Sequence, residues 1–174
     1  GSRPWIPASF AVDHDRILDA DSFERAASSG RVAVVGAGRD GLRAATLLAS
    51  TGVEVTVFDR RHRLLEECDS ELVDLVVEEM SRSGIRMRLG EEVYEAGPAV
   101  EGAVVVCSGT DVERFDRVVV SVGRTGNTDA LGLDAIGLET DERGRLWCDE
   151  RFGTWVEGVR AVGSVIGYPS WLRH

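Results

Sequence analysis

The feature that most constrains this chain is a glycine-rich turn between two apolar segments. The run "RVAVVG", which ends in Gly36, is short and β-branched, as is typical of a strand buried on both faces. The run "DGLRAATLLASTG" begins at Asp40, has apolar residues at helical spacing, and ends in Gly52 followed by a second β-branched run. The order strand, glycine-rich turn, helix, strand predicts an α/β fold with parallel pairing.

The turn has the spacing G-x-G-x-x-G, with Gly36, Gly38 and Gly41 at the three glycine positions. In such a turn the first glycine permits a tight bend, the second lets backbone approach a pyrophosphate, and the third allows close packing of the helix on the strand. The next strand, "VEVTVFD", ends in an acidic residue about 20 residues on, where a carboxylate can bind the adenosine ribose. We therefore predict a dinucleotide site; the alternative is a turn without a ligand. The predicted cofactor-binding residues are Gly36, Ala37, Gly38, Arg39, Asp40, Gly41 and Asp59.

The residues after that strand leave the form of the nucleotide open. The carboxylate of Asp59 would accept hydrogen bonds from a ribose 2'-hydroxyl and repel a 2'-phosphate, which favours NAD(H). The run "RRHR", residues 60–63, could instead offer a guanidinium to the 2'-phosphate of NADP(H), or be a solvated loop. We predict NAD(H) or NADP(H) as the cofactor, with dual use possible on these residues.

An aspartate inside the glycine-rich turn is unexpected for an anion site. Asp40 is predicted in the first helical turn, where the helix dipole stabilises a carboxylate by about 0.3–1 kcal/mol. A bound pyrophosphate would share that helix terminus and be repelled unless Asp40 points outward and Arg39 screens it. The sequence therefore predicts affinity that is weakened but not lost.

The rest of the pattern extends the α/β prediction. "DSELVDLVVEEMSRSG" predicts a second helix with Leu72, Leu75, Val76 and Met80 on its buried face, and "IRMRL" predicts a third strand. The region from residue 91 to 116 has three short strand-like pieces separated by turn residues, which predicts an antiparallel meander before the buried strand "RVVVSVG". We predict a Rossmann-like parallel sheet with helices on both faces and an antiparallel β-meander crossover.

Composition excludes several classes of partner. The 174 residues carry 20 Lys and Arg against 30 Asp and Glu, a formal charge of -10, which opposes binding to nucleic acid or an anionic membrane. The longest apolar runs fall far below the roughly 20 residues that cross a bilayer. The three Cys and three His residues are not at metal-ligand spacing, so we predict no metal site. We expect a cytoplasmic protein.

Two later stretches narrow the family. "VVVSVGRTGNTDALGLDAIGLETDERGRLWCD" and "VRAVGSVIGYPS", together with the glycine-rich turn, resemble the central NAD(P)-binding domain of pyridine nucleotide-disulfide oxidoreductase-type flavoproteins, most closely the soluble pyridine nucleotide transhydrogenases. The resemblance implies that residues 1–30 lead in from an FAD domain absent here, that 31–160 form the dinucleotide-binding domain, and that 161–174 return toward the FAD domain. It also implies that Arg60 contacts the adenosine ribose and that Gly123 and Arg124 lie along the nicotinamide.

The resemblance implies hydride transfer between a nicotinamide nucleotide and FAD in a homodimeric complete protein with its own dimerisation domain. This chain by itself would bind nucleotide and would have no catalytic residue. A lipoamide dehydrogenase- or glutathione reductase-like protein is the alternative within the family; it would carry a redox-active cysteine pair in the FAD domain.

Three positions depart from the family's pattern. Asp40 replaces an apolar residue, Arg43 replaces a glutamate near the nicotinamide, and Ser164 replaces an aspartate that bonds the flavin. Arg43 would disfavour the cationic oxidised nucleotide, and Ser164 would weaken retention of FAD. These departures leave open a third hypothesis, a degenerate non-catalytic Rossmann domain used for packing or partner binding.

Overall fold

The computed structural model describes residues 1–27, 30–99, 102–106 and 111–168. These residues form two compact units, one of Ile6–Gly123 and a smaller one of Gly1–Trp5 with the chain from Arg124 onward. The helices are α1 (Arg39–Ser50) and α2 (Ser70–Arg82). The strands are β1 (Ser2–Pro4), β2 (Ile17–Asp19), β3 (Arg31–Val35), β4 (Glu54–Asp59), β5 (Arg86–Leu89), β6 (Glu95–Ala99), β7 (Gly102–Val106), β8 (Val112–Phe115), β9 (Arg117–Val120), β10 (Arg124–Gly126), β11 (Leu146–Trp147) and β12 (Ile166–Tyr168).

The larger unit is built on a five-stranded sheet in the order β2-β9-β3-β4-β5, and every neighbouring pair in it is parallel. β3 is the central strand, and its last residue, Val35, pairs with Phe58 of β4 and Val120 of β9. The carboxyl ends of these three strands therefore meet at one edge of the sheet. The segments that follow them carry the predicted site.

The two faces of the sheet are covered differently. α1 and α2 both pack on the face that presents Val32 and Val34. The opposite face presents Ala33 and Val35 and is covered by the antiparallel meander β6-β7-β8, whose Phe115 packs in that core. The α/β class, the parallel sheet and the meander are confirmed. In the described residues, however, both α-helices lie on one face instead of on both, because the meander covers the other.

The buried face of α2 also differs from the prediction. Met80 is buried as expected, but Leu72 and Leu75 are 61% and 62% exposed. Val73 is buried and Val77 packs against the same core. The stripe that faces the sheet is therefore shifted by one residue toward the carboxyl end, from Leu72 to Val73. The sequence between residues 72 and 77 is apolar at five of six positions, so it offers two apolar stripes at helical spacing. Which of the two stripes is buried depends on how the helix packs on the sheet.

The smaller unit has its own apolar core. β1 pairs antiparallel with β10, β11 pairs parallel with β12, and the core side chains include Leu138, Leu146 and Ile166. The Arg143 guanidinium lies 3.7 Å from the centre of the Trp5 ring, a cation–π contact within this unit. The last two residues of the "VIGYPS" motif lie outside the described residues, and the segment boundaries at residues 30 and 160 stay a prediction. Within the part of the chain that is described, no helix is long and apolar enough to cross a membrane.

Candidate dinucleotide-binding site

The first and third glycines of the turn are required by the protein's own backbone. Gly36 has a φ of +101°, and a Cβ there would lie 2.2 Å from the carbonyl oxygen of Ser121. A Cβ on Gly41, in the first turn of α1, would lie 1.9 Å from the carbonyl oxygen of Gly36. Both distances are far shorter than a van der Waals contact. These two glycines therefore let the turn and helix α1 pack closely on the end of the sheet.

The second glycine is different, because its free side faces open space. Gly38 is the N-cap of α1, has an ordinary φ of −76°, and has no side-chain cap hydrogen bond. A Cβ built there meets no heavy atom of the described residues within 4 Å. The N–H groups of a first helical turn have no partner inside the helix and carry the positive end of the helix dipole. The turn therefore exposes backbone at the positive end of the helix dipole, where the sequence predicts that a pyrophosphate binds.

Asp59 holds this turn in place from the end of β4. The residue is only 7% exposed, and its Oδ2 accepts a hydrogen bond of 2.7 Å from the Ala37 N–H. The Gly36 N–H donates to the carbonyl oxygen of Phe58 at 2.7 Å. Two successive N–H groups of the turn are thus bound to the end of β4, which fixes the conformation of the glycine-rich segment.

The same carboxylate is clamped by Arg61. Its Nε donates to Oδ1 of Asp59 at 2.9 Å and its Nη2 donates to Oδ2 at 2.8 Å, while the Arg61 N–H also donates to Oδ1 at 2.9 Å. Burial by itself raises the pKa of Asp59, but the hydrogen bonds from Arg61 and from the Ala37 N–H outweigh it and hold the pKa below its usual range. The carboxylate is ionised at neutral pH, and its charge is balanced by the guanidinium.

We expect Asp59→Asn to lower the free energy of unfolding by about 2 kcal/mol at pH 7, because the charge-assisted bonds to Arg61 are lost. The folded-state pKa of Asp59 lies below the unfolded value. Its contribution is therefore complete at neutral pH, above the unfolded pKa, and is lost as the pH falls through the lowered folded-state pKa. Denaturant unfolding of both proteins at pH 7 and pH 3 measures this.

The matched control is Asp74→Asn, which neutralises an exposed carboxylate on α2. Its effect is expected to stay within about 0.5 kcal/mol at either pH. A difference between Asp59→Asn and the parent chain that does not change with pH would show that the ionised carboxylate is not what stabilises the turn.

The structure brings most of the predicted residues to one edge of the sheet. Arg39 and Asp40 are the first two residues of α1, as the helix-dipole argument expected. Arg60 is exposed directly after β4, and Gly123, with a φ of +131°, follows β9 in the same unit. The Arg124 guanidinium donates to the hydroxyl and the carbonyl oxygen of Ser2 at 2.8 and 2.9 Å. The nicotinamide role of Gly123 and Arg124 stays a prediction.

Two residues of this edge were not singled out from the sequence. The carbonyl oxygen of Ser121 is the atom that a side chain at Gly36 would clash with. The Ser121 N–H donates a hydrogen bond to the carbonyl oxygen of Val35 at 2.7 Å. Its place directly after the buried run "RVVV" was the available signal. Arg61 was only one of several arginines in a loop, and nothing in the sequence indicated that it, and not Arg60, would turn back onto Asp59.

The two remaining departures from the family's pattern have ordinary surroundings. Arg43 is exposed on α1, with its guanidinium 5.9 Å from the centre of the Phe23 ring. Ser164 is exposed in a short 3-10 turn of the smaller unit. Among the described residues no group of three or more His, Cys, Asp or Glu could hold a metal ion.

A comparison with protein families matches residues 1–173 to the model described as "Pyridine nucleotide-disulphide oxidoreductase". The chain belongs to this family. The predicted resemblance to the family is confirmed.

The curated proteins that the chain is similar to include soluble pyridine nucleotide transhydrogenases. The chain is 36% identical over 171 residues to the one of Mycobacterium bovis, covering 98% of this chain and 36% of the relative. It is 39% identical over 173 residues to that of Vibrio parahaemolyticus, covering 98% of this chain and 37% of the relative. The chain thus spans a little over a third of the relatives it matches.

Solved structures of similar proteins confirm the fold. LpdA of Mycobacterium tuberculosis matches with a TM-score of 0.86 at 24% identity, over 97% of this chain and 37% of that one. The water-forming NADH oxidase of Lactobacillus brevis, solved bound to NADH, matches with a TM-score of 0.77 at 24% identity, over 95% of this chain and 38% of that one.

Proposed function

We propose that this chain binds a reduced nicotinamide dinucleotide, NADH or NADPH, and serves as the nucleotide-binding part of a flavoprotein oxidoreductase. The observation that carries the proposal is the contrast within the turn: the protein's own backbone blocks any side chain at Gly36 and Gly41, whereas Gly38 faces open space. Packing alone does not require a glycine at the second position, because a side chain there would meet no other atom. A ligand that approaches the backbone does require one, because a side chain at Gly38 would stand in its way.

The physical basis of binding is the amino terminus of α1. Its dipole and its first-turn N–H groups favour an anion, and the open side of Gly38 lets a pyrophosphate come close to them. The carboxylate of Asp40 shares this terminus and opposes the anion, so we expect moderate affinity. Asp59 acts indirectly, by fixing the turn through the Ala37 N–H.

The activity we propose for the complete protein is hydride transfer between a nicotinamide dinucleotide and FAD, as in a soluble transhydrogenase. Identities of 36% and 39% to proteins of that name favour it over a lipoamide dehydrogenase-like enzyme. The sequence holds a single G-x-G-x-x-G turn, so we expect this chain alone to bind nucleotide without turnover. We further propose that the FAD and dimerisation domains are its partners and that the complete protein is a cytoplasmic homodimer.

Titration calorimetry of the 174-residue chain with NADH and with NADPH, each at low and moderate salt, tests the proposal. We expect saturable binding of one nucleotide per chain with a dissociation constant in the millimolar range or below. The affinity should fall as salt rises, because phosphate recognition at a helix terminus is electrostatic. If neither nucleotide binds at any salt concentration, the proposal is wrong.

The alternative is a domain that keeps the fold without the nucleotide. Arg43 favours it, because its guanidinium packs over the ring of Phe23 and so has a structural role at a position where the resemblance implies a glutamate beside the nicotinamide. The same titration separates the two candidates: binding supports the nucleotide-binding function, and its absence supports the packing function.

A further inference from the structure

The clamp between Arg61 and Asp59 changes what the end of β4 can recognise. A carboxylate has about four acceptor positions on its two oxygens. Here Oδ1 accepts from the Arg61 N–H and Nε, and Oδ2 accepts from the Ala37 N–H and the Arg61 Nη2. All four positions are occupied within the chain. The ribose hydroxyls of NADH would therefore find no acceptor on Asp59 unless the guanidinium moved away.

The clamp also removes the charge that would exclude a 2'-phosphate. A lone buried carboxylate at this place repels a phosphate, but the Asp59–Arg61 pair carries no net charge. Arg60 and Arg63 are exposed and lie one residue before and two residues after Arg61 in sequence. Neither forms a hydrogen bond or an ion pair with any residue that the structure describes. Two uncommitted guanidinium groups thus belong to the loop that directly follows the neutralised carboxylate.

Acidic residues nearby form no ion pair with Arg60 or Arg63 among the described residues. Glu66 and Glu67 are exposed, and they act on Arg61 through the electrostatic field, without an ion pair. Residues 60 to 63 themselves contain three arginines and no acidic residue, in a chain whose formal charge is -10, so Arg60 and Arg63 stay available to a phosphate.

We infer that Arg61 is the specificity-determining residue of the nucleotide site, and that by occupying Asp59 it makes the site prefer the 2'-phosphorylated dinucleotide NADPH over NADH. This inference rests on the proposed function. Arg60 and Arg63 supply the direct contacts to the 2'-phosphate, and a planar guanidinium suits a phosphate because it donates two parallel hydrogen bonds. Asp59, whose position in the sequence favours NADH, instead has a structural role, because it binds the Ala37 N–H and Arg61.

The test is a titration of the chain and of Arg61→Gln with NADH and with NADPH. The parent chain should bind NADPH more tightly. In Arg61→Gln the freed carboxylate accepts the ribose hydroxyls and repels the 2'-phosphate, so the ratio of the two affinities should shift toward NADH by about tenfold or more. The matched control is Arg82→Gln, which removes the same charge from an exposed ion pair on α2 and should leave the ratio unchanged.

Adenosine 2',5'-bisphosphate and 5'-AMP serve as smaller probes that differ in the 2'-phosphate alone. We expect the parent chain to bind the bisphosphate more tightly and Arg61→Gln to lose that preference, with the thermal unfolding of each variant recorded to show that it folds. If both dinucleotides bind but their ratio is the same in the parent chain and in Arg61→Gln, the inference is wrong and the proposed function stands. If the parent chain binds neither dinucleotide, the proposed function fails and the inference with it.

Discussion

Replacing Gly41 by alanine is expected to lower the free energy of unfolding by about 3 kcal/mol or more. In an ordinary helix this change would be stabilising by about 1 kcal/mol, because alanine is the better helix former. Here the new Cβ would lie 1.9 Å from the carbonyl oxygen of Gly36, which is backbone and cannot rotate away. Helix α1 would have to move off the sheet. Denaturant unfolding monitored by circular dichroism measures the loss.

The control is Gly38→Ala, three residues earlier in the same turn. Its φ of −76° suits any residue and its Cβ meets open space, so we expect a cost below about 1 kcal/mol. If Gly41→Ala and the parent chain are equally stable, α1 does not pack on the turn as closely as described.

Replacing Gly38 by aspartate is expected to reduce dinucleotide affinity about 100-fold while leaving the fold intact. Aspartate is a preferred N-cap, so its carboxylate can accept hydrogen bonds from the first-turn N–H groups of α1. It then occupies the donors that a pyrophosphate needs and adds a negative charge beside it. Calorimetric titration with NADPH and denaturant unfolding of the same variant measure the two effects separately.

Asparagine at the same position is the matched control, since it has the same shape and is also a preferred N-cap but carries no charge. We expect Gly38→Asn to lose about tenfold in affinity, from the steric part of the effect alone. Undiminished binding of NADPH by Gly38→Asp would place the nucleotide elsewhere on the chain.

Local chemistry was enough to predict the glycine-rich turn. Strand, turn and helix follow one another within a few residues, so the requirement for glycine at Gly36 and Gly41 and the position of Asp59 could be inferred from spacing. The same holds for the meander, whose strand-like pieces and turn residues are contiguous in sequence.

Other features depend on contacts that spacing does not encode. α2 has two apolar stripes, and the sheet selects the one with Val73 and leaves Leu72 exposed. Which face of the sheet receives the meander is likewise a tertiary outcome. The partner of Asp59 could not be read from the sequence either, because several arginines follow it and only the fold turns Arg61 back onto the carboxylate.

The central claim is that the turn from Gly36 to Gly41 receives the phosphates of a nicotinamide dinucleotide, and amide resonances report on it residue by residue. At 174 residues the chain is small enough for two-dimensional NMR with uniform nitrogen-15 labelling. Titration with NADPH should shift the amide signals of Gly38, Arg39 and Gly41 most, in a saturable manner. Saturable shifts confined to other parts of the chain, or no shifts at all, would contradict the account.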